Sequence, residues 1–289
     1  MPKLTGGPDP HPTKPKFKAP PGACDTHIHL FGPAAKYPFA PDSPYIAHDA
    51  LPETFMALQD TLGLSTAVIV SPGGYGRNYA LLADVLAKNP DRFRGIALLR
   101  DDTPSSEIGR LTKLGVRGMR MMSHKRGQHV PNYSAEIAAR VHEHGWHIQF
   151  YPHGTDIVDY ADKLLALPNQ IVLDHFASIP ADGGTDQPAV KAVLKMLDSG
   201  KVWLKLSGPM RCTNEPPPYP SVTPLAHVFV KHAPERMVWG SDWPHPTEKE
   251  KPNDAVLFDL LAEWAPDEAA RQRILVTNPE ALYGFARVG

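Results

Sequence analysis

The chain has 289 residues, 42% of them hydrophobic, which is enough for one large domain with a sizeable core, so disorder is not its expected state. Its 30 basic and 31 acidic residues leave a formal net charge of −1, without the basic excess of a nucleic-acid binder. Only Cys24 and Cys212 are present, no apolar run approaches the ~20 residues that span a bilayer, and the N-terminus lacks the apolar stretch of a signal peptide; the expectation is a cytoplasmic protein with no membrane and no nucleic-acid partner.

Residues 1–22 are rich in proline, which fixes φ and gives up its N–H donor. They are read as an arm, forming neither helix nor sheet, on a single domain that spans 23–289. From there short apolar runs predict strands at 23–31, 65–71, 93–99, 116–122, 147–151, 171–176, 202–207 and 237–243. Amphipathic stretches between them predict helices at 53–62, 79–88, 105–114, 134–144, 157–167, 189–198, 221–232 and 254–264, several stopped by glycine as at Gly63 and Gly115. Near-continuous apolar strands separated by helices indicate an α/β protein with a parallel sheet covered on both faces. Eight such units in a row favour a closed (β/α)8 TIM barrel over an open doubly wound sheet, and no G-x-G-x-x-G follows the first strand.

A barrel puts chemistry at the C-terminal ends of its strands, and the unusual polar residues gather there. His27 and His29 close strand one; Arg120 sits near the end of strand four, with His124, Lys125 and Arg126 beyond it. Tyr151 and His153 follow strand five, His175 ends strand six, Arg211 follows strand seven and Asp242 ends strand eight. His27 and His29 are one residue apart, so in a strand both point to the same face, the barrel interior. Converging buried imidazoles need water, a metal or a carboxylate as partner.

The segments DTHIHLFGP (25–33), DH (174–175) and WGSDWPHP (239–246) resemble the motifs of the amidohydrolase superfamily, in its amidohydrolase-2 branch. YPFAPDSPY (37–45), RGMRMMSHKR (117–126), WLKLSGPMR (203–211) and LVTNPEALY (275–283) narrow the resemblance to the 2-pyrone-4,6-dicarboxylate lactonases and related muconolactone hydrolases. That resemblance implies a hydrolase opening a small anionic lactone, a pyrone dicarboxylate or a carboxylated or sulfonated muconolactone, in aromatic-compound catabolism. It implies Asp242 as the base for the attacking water, with His27, His29 and His175 lining the reacting centre. Arg120, Arg126 and Arg211 would grip substrate carboxylates with help from Tyr45 and Tyr151. One departure stands out: where the lactonase pattern carries an arginine three residues after the strand-six histidine, this chain has Ser178.

Lactone hydrolysis needs an activated water, stabilisation of the developing oxyanion and orientation of a small ring, and a carboxylate, imidazoles and guanidinium forks supply these. His27, His29, His175 and Asp242 also make a donor set for one divalent ion, zinc first, although the resemblance leaves a metal-independent reaction open. Met121, Met122 and Ser123 occupy the strand-four end where binuclear relatives carry a lysine or glutamate, which argues against a second ion. The competing readings are a lactone isomerase, a metal-dependent decarboxylase of the same superfamily, and a barrel that only binds ligands; the oligomeric state stays open.

Overall fold

Eight runs of β-branched and apolar residues form the strands β1 (Cys24–Ile28), β2 (Thr66–Val70), β3 (Phe93–Ala97), β4 (Val116–Met122), β5 (His147–Tyr151), β6 (Ile171–Leu173), β7 (Val202–Ser207) and β8 (Met237–Gly240). Between and after them lie the helices α1 (Pro52–Leu62), α2 (Ala80–Lys88), α3 (Ser105–Leu114), α4 (Ala135–His142), α5 (Ile157–Leu165), α6 (Pro188–Asp198), α7 (Thr223–His232) and α8 (Asp254–Trp264). This computed structural model describes residues 3–43, 45–123 and 133–287.

Every strand pairs in parallel with its sequence neighbour, from β1 round to β8. The ring closes where the ends meet: the His29 N–H donates to the Trp243 carbonyl at 2.7 Å, and the Asp242 N–H to the His27 carbonyl at 2.9 Å. Gly240 allows this closeness, since a Cβ there would lie 2.9 Å from the His27 nitrogen. The predicted TIM barrel is the observed fold. Among the described residues no helix is long and apolar enough to cross a membrane.

Three strands that end at the site stop earlier than expected. Strand one ends at Ile28 and strand eight at Gly240, where the chain turns to present His29 and Asp242. Strand six is only Ile171–Leu173; from His175 to Ser178 the backbone turns left-handed, with φ between 51° and 53°. A non-glycine residue in that region costs about 1–2 kcal/mol. Burial of Phe176 and Ala177 in the core holds the turn in place.

The N-terminal arm also departs from expectation. Lys3–Leu4 forms a short parallel pairing with Tyr45–Ile46, continued by the Thr5 N–H on the Ile46 carbonyl at 3.0 Å. Pairing is open to these residues because they precede the run of prolines and keep their donors. Further on, the arm lies along α8: the Lys16 and Phe17 N–H groups donate to Asp259 Oδ1 at 2.8 and 3.0 Å, and Phe17 stacks on Phe258.

Strand alternation decides what fills the barrel bore. Residues two apart share a face, so Arg120 and Met122 share one on β4, Gln149 and Tyr151 on β5, and Lys205 and Ser207 on β7; on β1 the register shifts between Asp25 and Ile28, and His27 and His29 turn to the mouth beyond the shift. The upper bore is therefore a polar layer beneath the mouth.

Candidate active site

Asp242 is the hub of the mouth. It follows β8 in a left-handed conformation, φ 69°, and is buried. Its Oδ1 faces three imidazoles: His29 Nε2 at 3.4 Å, His27 Nε2 at 3.7 Å and His175 Nε2 at 3.9 Å. Its Oδ2 accepts from Arg211 Nη2 at 3.0 Å. Burial alone would raise this carboxyl, but the imidazoles of His175 and His29 and the Arg211 guanidinium outweigh it and hold it well below the usual carboxylate range.

Each imidazole is oriented from behind. His29 Nδ1 lies 2.7 Å from the Val70 carbonyl on β2, and His175 Nδ1 lies 2.9 Å from Ser207 Oγ on β7. A Cβ on Gly208 would come within 2.7 Å of that same His175 nitrogen, so a glycine is needed beside it. Burial lowers His175 to about 4 and takes His27 well below its usual range, so both are neutral rings at pH 7.

Beneath His27 lies a buried network of two cations, one carboxylate and one amide. Asp174 Oδ2 accepts from Arg120 Nε at 3.0 Å and from Gln149 Nε2 at 3.1 Å. Lys205 Nζ, with no exposed surface, donates to the Thr26 carbonyl and to Gln149 Oε1, both at 2.8 Å. Burial raises the Asp174 carboxyl in isolation, yet the Arg120 guanidinium, with Lys205, holds it well below its ordinary value. Truncating one member of such a network strands the others, at a cost of about 3–5 kcal/mol.

Arg120 and Arg211, expected to reach for a substrate, already hold carboxylates. Arg120 is bound to Asp174, with its guanidinium carbon 5.1 Å from the Tyr151 ring centre. Arg211 spans Asp242 and Glu248, its Nη1 lying 2.8 Å from Glu248 Oε1 and 2.7 Å from Thr247 Oγ1. Tyr151 stands edge-on to His175 at 5.2 Å. Tyr45 sits farther out: its hydroxyl accepts from the Gly74 N–H at 3.3 Å and its ring meets Phe31 edge-on, within an aromatic wall that also includes Phe39 and Tyr75. Arg126, with His124 and Lys125, lies outside the described residues. His245 turns away from the hub, with its Nε2 on Asp254 Oδ1 of α8 at 2.9 Å.

A cavity of about 890 Å³ opens over β5, β6 and β7, its walls including Tyr151, His153, Ser178, Arg211, Asn214 and Glu215. Ser178 is buried, and its hydroxyl has no hydrogen-bond partner among the described residues.

The donor atoms of His27, His175 and Asp242 lie within 4.8 Å of one another, close enough to hold a metal ion. His29, the fourth expected ligand, falls outside that group. Two imidazoles and a carboxylate, all buried, fit a divalent ion.

Sequence reasoning missed three residues. Lys205 and Gln149 share strand faces with named residues, and a lysine inside the apolar run VWLKLS was the available signal. Asp25 is the third: its Oδ1 accepts the N–H groups of His27 and Ser241, each at 3.0 Å, and so ties β1 to the end of β8. Only the first letter of DTHIH pointed to it.

The amidohydrolase family profile matches residues 24–285. A 2-pyrone-4,6-dicarboxylate hydrolase of Comamonas testosteroni is 35% identical over 285 residues, covering 94% of this chain and 93% of the relative. A 4-sulfomuconolactone hydrolase of Hydrogenophaga intermedia is 32% identical over 289 residues, covering 98% and 95%. Among solved structures, one described as a putative 2-pyrone-4,6-dicarboxylic acid hydrolase from Pseudomonas putida superposes with a TM-score of 0.79 at 27% identity, covering 92% of this chain and 99% of that one.

Proposed function

This chain belongs to the amidohydrolase family, and from that premise we propose that it hydrolyses a small anionic lactone, opening the ring to an open-chain acid. The observation that carries this reading is the division of labour at Asp242: one oxygen faces three imidazole nitrogens while the other is held by Arg211. The names of the relatives support the substrate class.

In this reading Asp242 Oδ1 takes a proton from water as the water oxygen bonds to the ester carbonyl carbon. The ring C–O bond then breaks, and the ring oxygen receives the proton. His27, His29 and His175 surround the carbonyl oxygen where negative charge develops. Arg211, Arg120, Tyr151 and Tyr45 orient the ring, Arg211 meeting a substrate anion in competition with Glu248. A divalent ion held by His27, His175 and Asp242, zinc being the one that suits such a set, would supply Lewis-acid polarisation of the carbonyl.

The test is a spectrophotometric screen of pyrone carboxylates and muconolactones, with and without chelator, run in H2(18)O. One 18O in the product carboxylate is the expected result. Ring consumption without the label would replace hydrolysis by isomerisation.

Ser178 sets the expected preference within that class. With no arginine there, the described residues offer a dianion one cation fewer. Ser178→Arg should raise kcat/KM for a dicarboxylated pyrone about tenfold, since a hydrogen bond to a charged group contributes roughly 1.5–3 kcal/mol. An unchanged ratio between dianionic and monoanionic lactones would remove Ser178 from the substrate's reach.

A further inference from the structure

His27 and His29 stand two residues apart and both turn to the mouth, yet their surroundings place their protons differently. His29 Nδ1 lies 2.7 Å from the Val70 carbonyl, which can only accept. That contact places a ring proton on His29 Nδ1.

Behind His27 stands Lys205 instead. An ammonium has three hydrogens. Two go to the Thr26 carbonyl and Gln149 Oε1, both at 2.8 Å. The third is left for His27 Nδ1, at 3.3 Å and in hydrogen-bonding geometry, or for Asp174 Oδ1 at 3.5 Å. Although Asp174 Oδ1 is 3.3 Å from His27 Nδ1, it has no hydrogen-bond partner among the described residues. His27 Nε2, on the far side of the ring, has none either, and its distance of 3.7 Å from Asp242 Oδ1 is too long for a hydrogen bond.

We propose that Lys205 is a positioning residue: by donating to His27 Nδ1 it fixes the ring proton on Nε2, so that His27 faces the site as a hydrogen-bond donor and resists acting as a metal ligand. A cation at the His27, His175 and Asp242 group must displace that proton and approach a buried ammonium through the ring. With Lys205 removed, His27 Nδ1–H can turn to the bare Asp174 Oδ1, the carboxylate–histidine arrangement that favours metal binding. That the donor serves a lactone carbonyl rests on the function proposed above. The placement of the proton does not, and it is measured without substrate.

The experiment uses 15N-labelled full-length protein stripped of metal by chelator, with the His27 ring signals assigned by their loss in His27→Asn. Wild type should show His27 protonated on Nε2 and bare on Nδ1; Lys205→Met should show the reverse. In competition with a chromophoric chelator, Lys205→Met should bind Zn²⁺ alone about tenfold or more tighter than wild type, the scale on which groups behind a ligand act. A wild-type His27 protonated on Nδ1 overturns the proposal, as does unchanged or weaker zinc affinity in a folded Lys205→Met. If that variant does not fold, the wild-type spectrum decides alone. Failure of the lactone screen with an Nε2–H spectrum would discard the substrate reading and keep the role of Lys205.

Discussion

Asp242→Asn should lower kcat about 10²–10⁴-fold, the range general-base catalysis contributes, while melting temperature and circular dichroism stay close to wild type. The fold tolerates the change for two reasons. Asn is among the few non-glycine residues at ease in the left-handed region that Asp242 occupies at φ 69°. The hydrogen bond that helps close the barrel comes from the Asp242 main-chain N–H to the His27 carbonyl, which the side chain does not touch. What is lost is an oxygen able to take a proton amid the imidazoles of His27, His29 and His175. The fall should appear in kcat more than in KM, because Arg211 keeps Glu248 and the cavity keeps its walls. Turnover within a few-fold of wild type would take the base role from Asp242.

The barrel was legible because its period is written twice, in alternating strand and helix runs and in the glycines that stop helices. The residues around the hub were legible for a narrower reason: histidine, arginine and aspartate stand out where strands should end. Gln149 and Lys205 did not stand out, because each lies inside a strand whose neighbours are apolar. Only the closed ring brings them within 2.8 Å of each other. Arg211 shows the opposite limit. Its place after strand seven was readable, but its attachment to Asp242 and Glu248 depends on how the loops after β7 and β8 fold over the mouth.

Those attachments change what the guanidinium groups are for. A cluster of arginines at a barrel mouth suggests free grips for anions, yet Arg120 and Arg211 are each spent on a buried carboxylate. Their first effect is to keep Asp174 and Asp242 ionised against burial. Under the proposed function, selectivity for an anion would rest on exchange, with substrate taking the place of Glu248 at Arg211 rather than filling an empty socket.

Asp25 helps to close the ring, and removing that side chain should unsettle fold and site together. Asp25→Ala orphans the buried N–H groups of His27 and Ser241, at roughly 1–3 kcal/mol each, against a typical total stability of about 5–15 kcal/mol. Part of this is returned, since the wild-type carboxylate is itself costly: burial lifts its carboxyl from the ordinary 3.8 to about 7, and Oδ2 has no partner among the described residues. The sign of the pH dependence follows from that shift. Between about 3.8 and 7 the folded state holds a proton that the unfolded chain has released, so this group's contribution to stability falls as pH rises through the window and is flat above it. Wild type should therefore exceed Asp25→Ala in urea-unfolding free energy by more at pH 5 than at pH 8. Activity should fall too, because His27 and the Ser241–Asp242 turn hang from the same oxygen. A variant as stable as wild type at both pH values would show that the seam holds without it, and a larger gap at pH 8 would reverse the assigned sign.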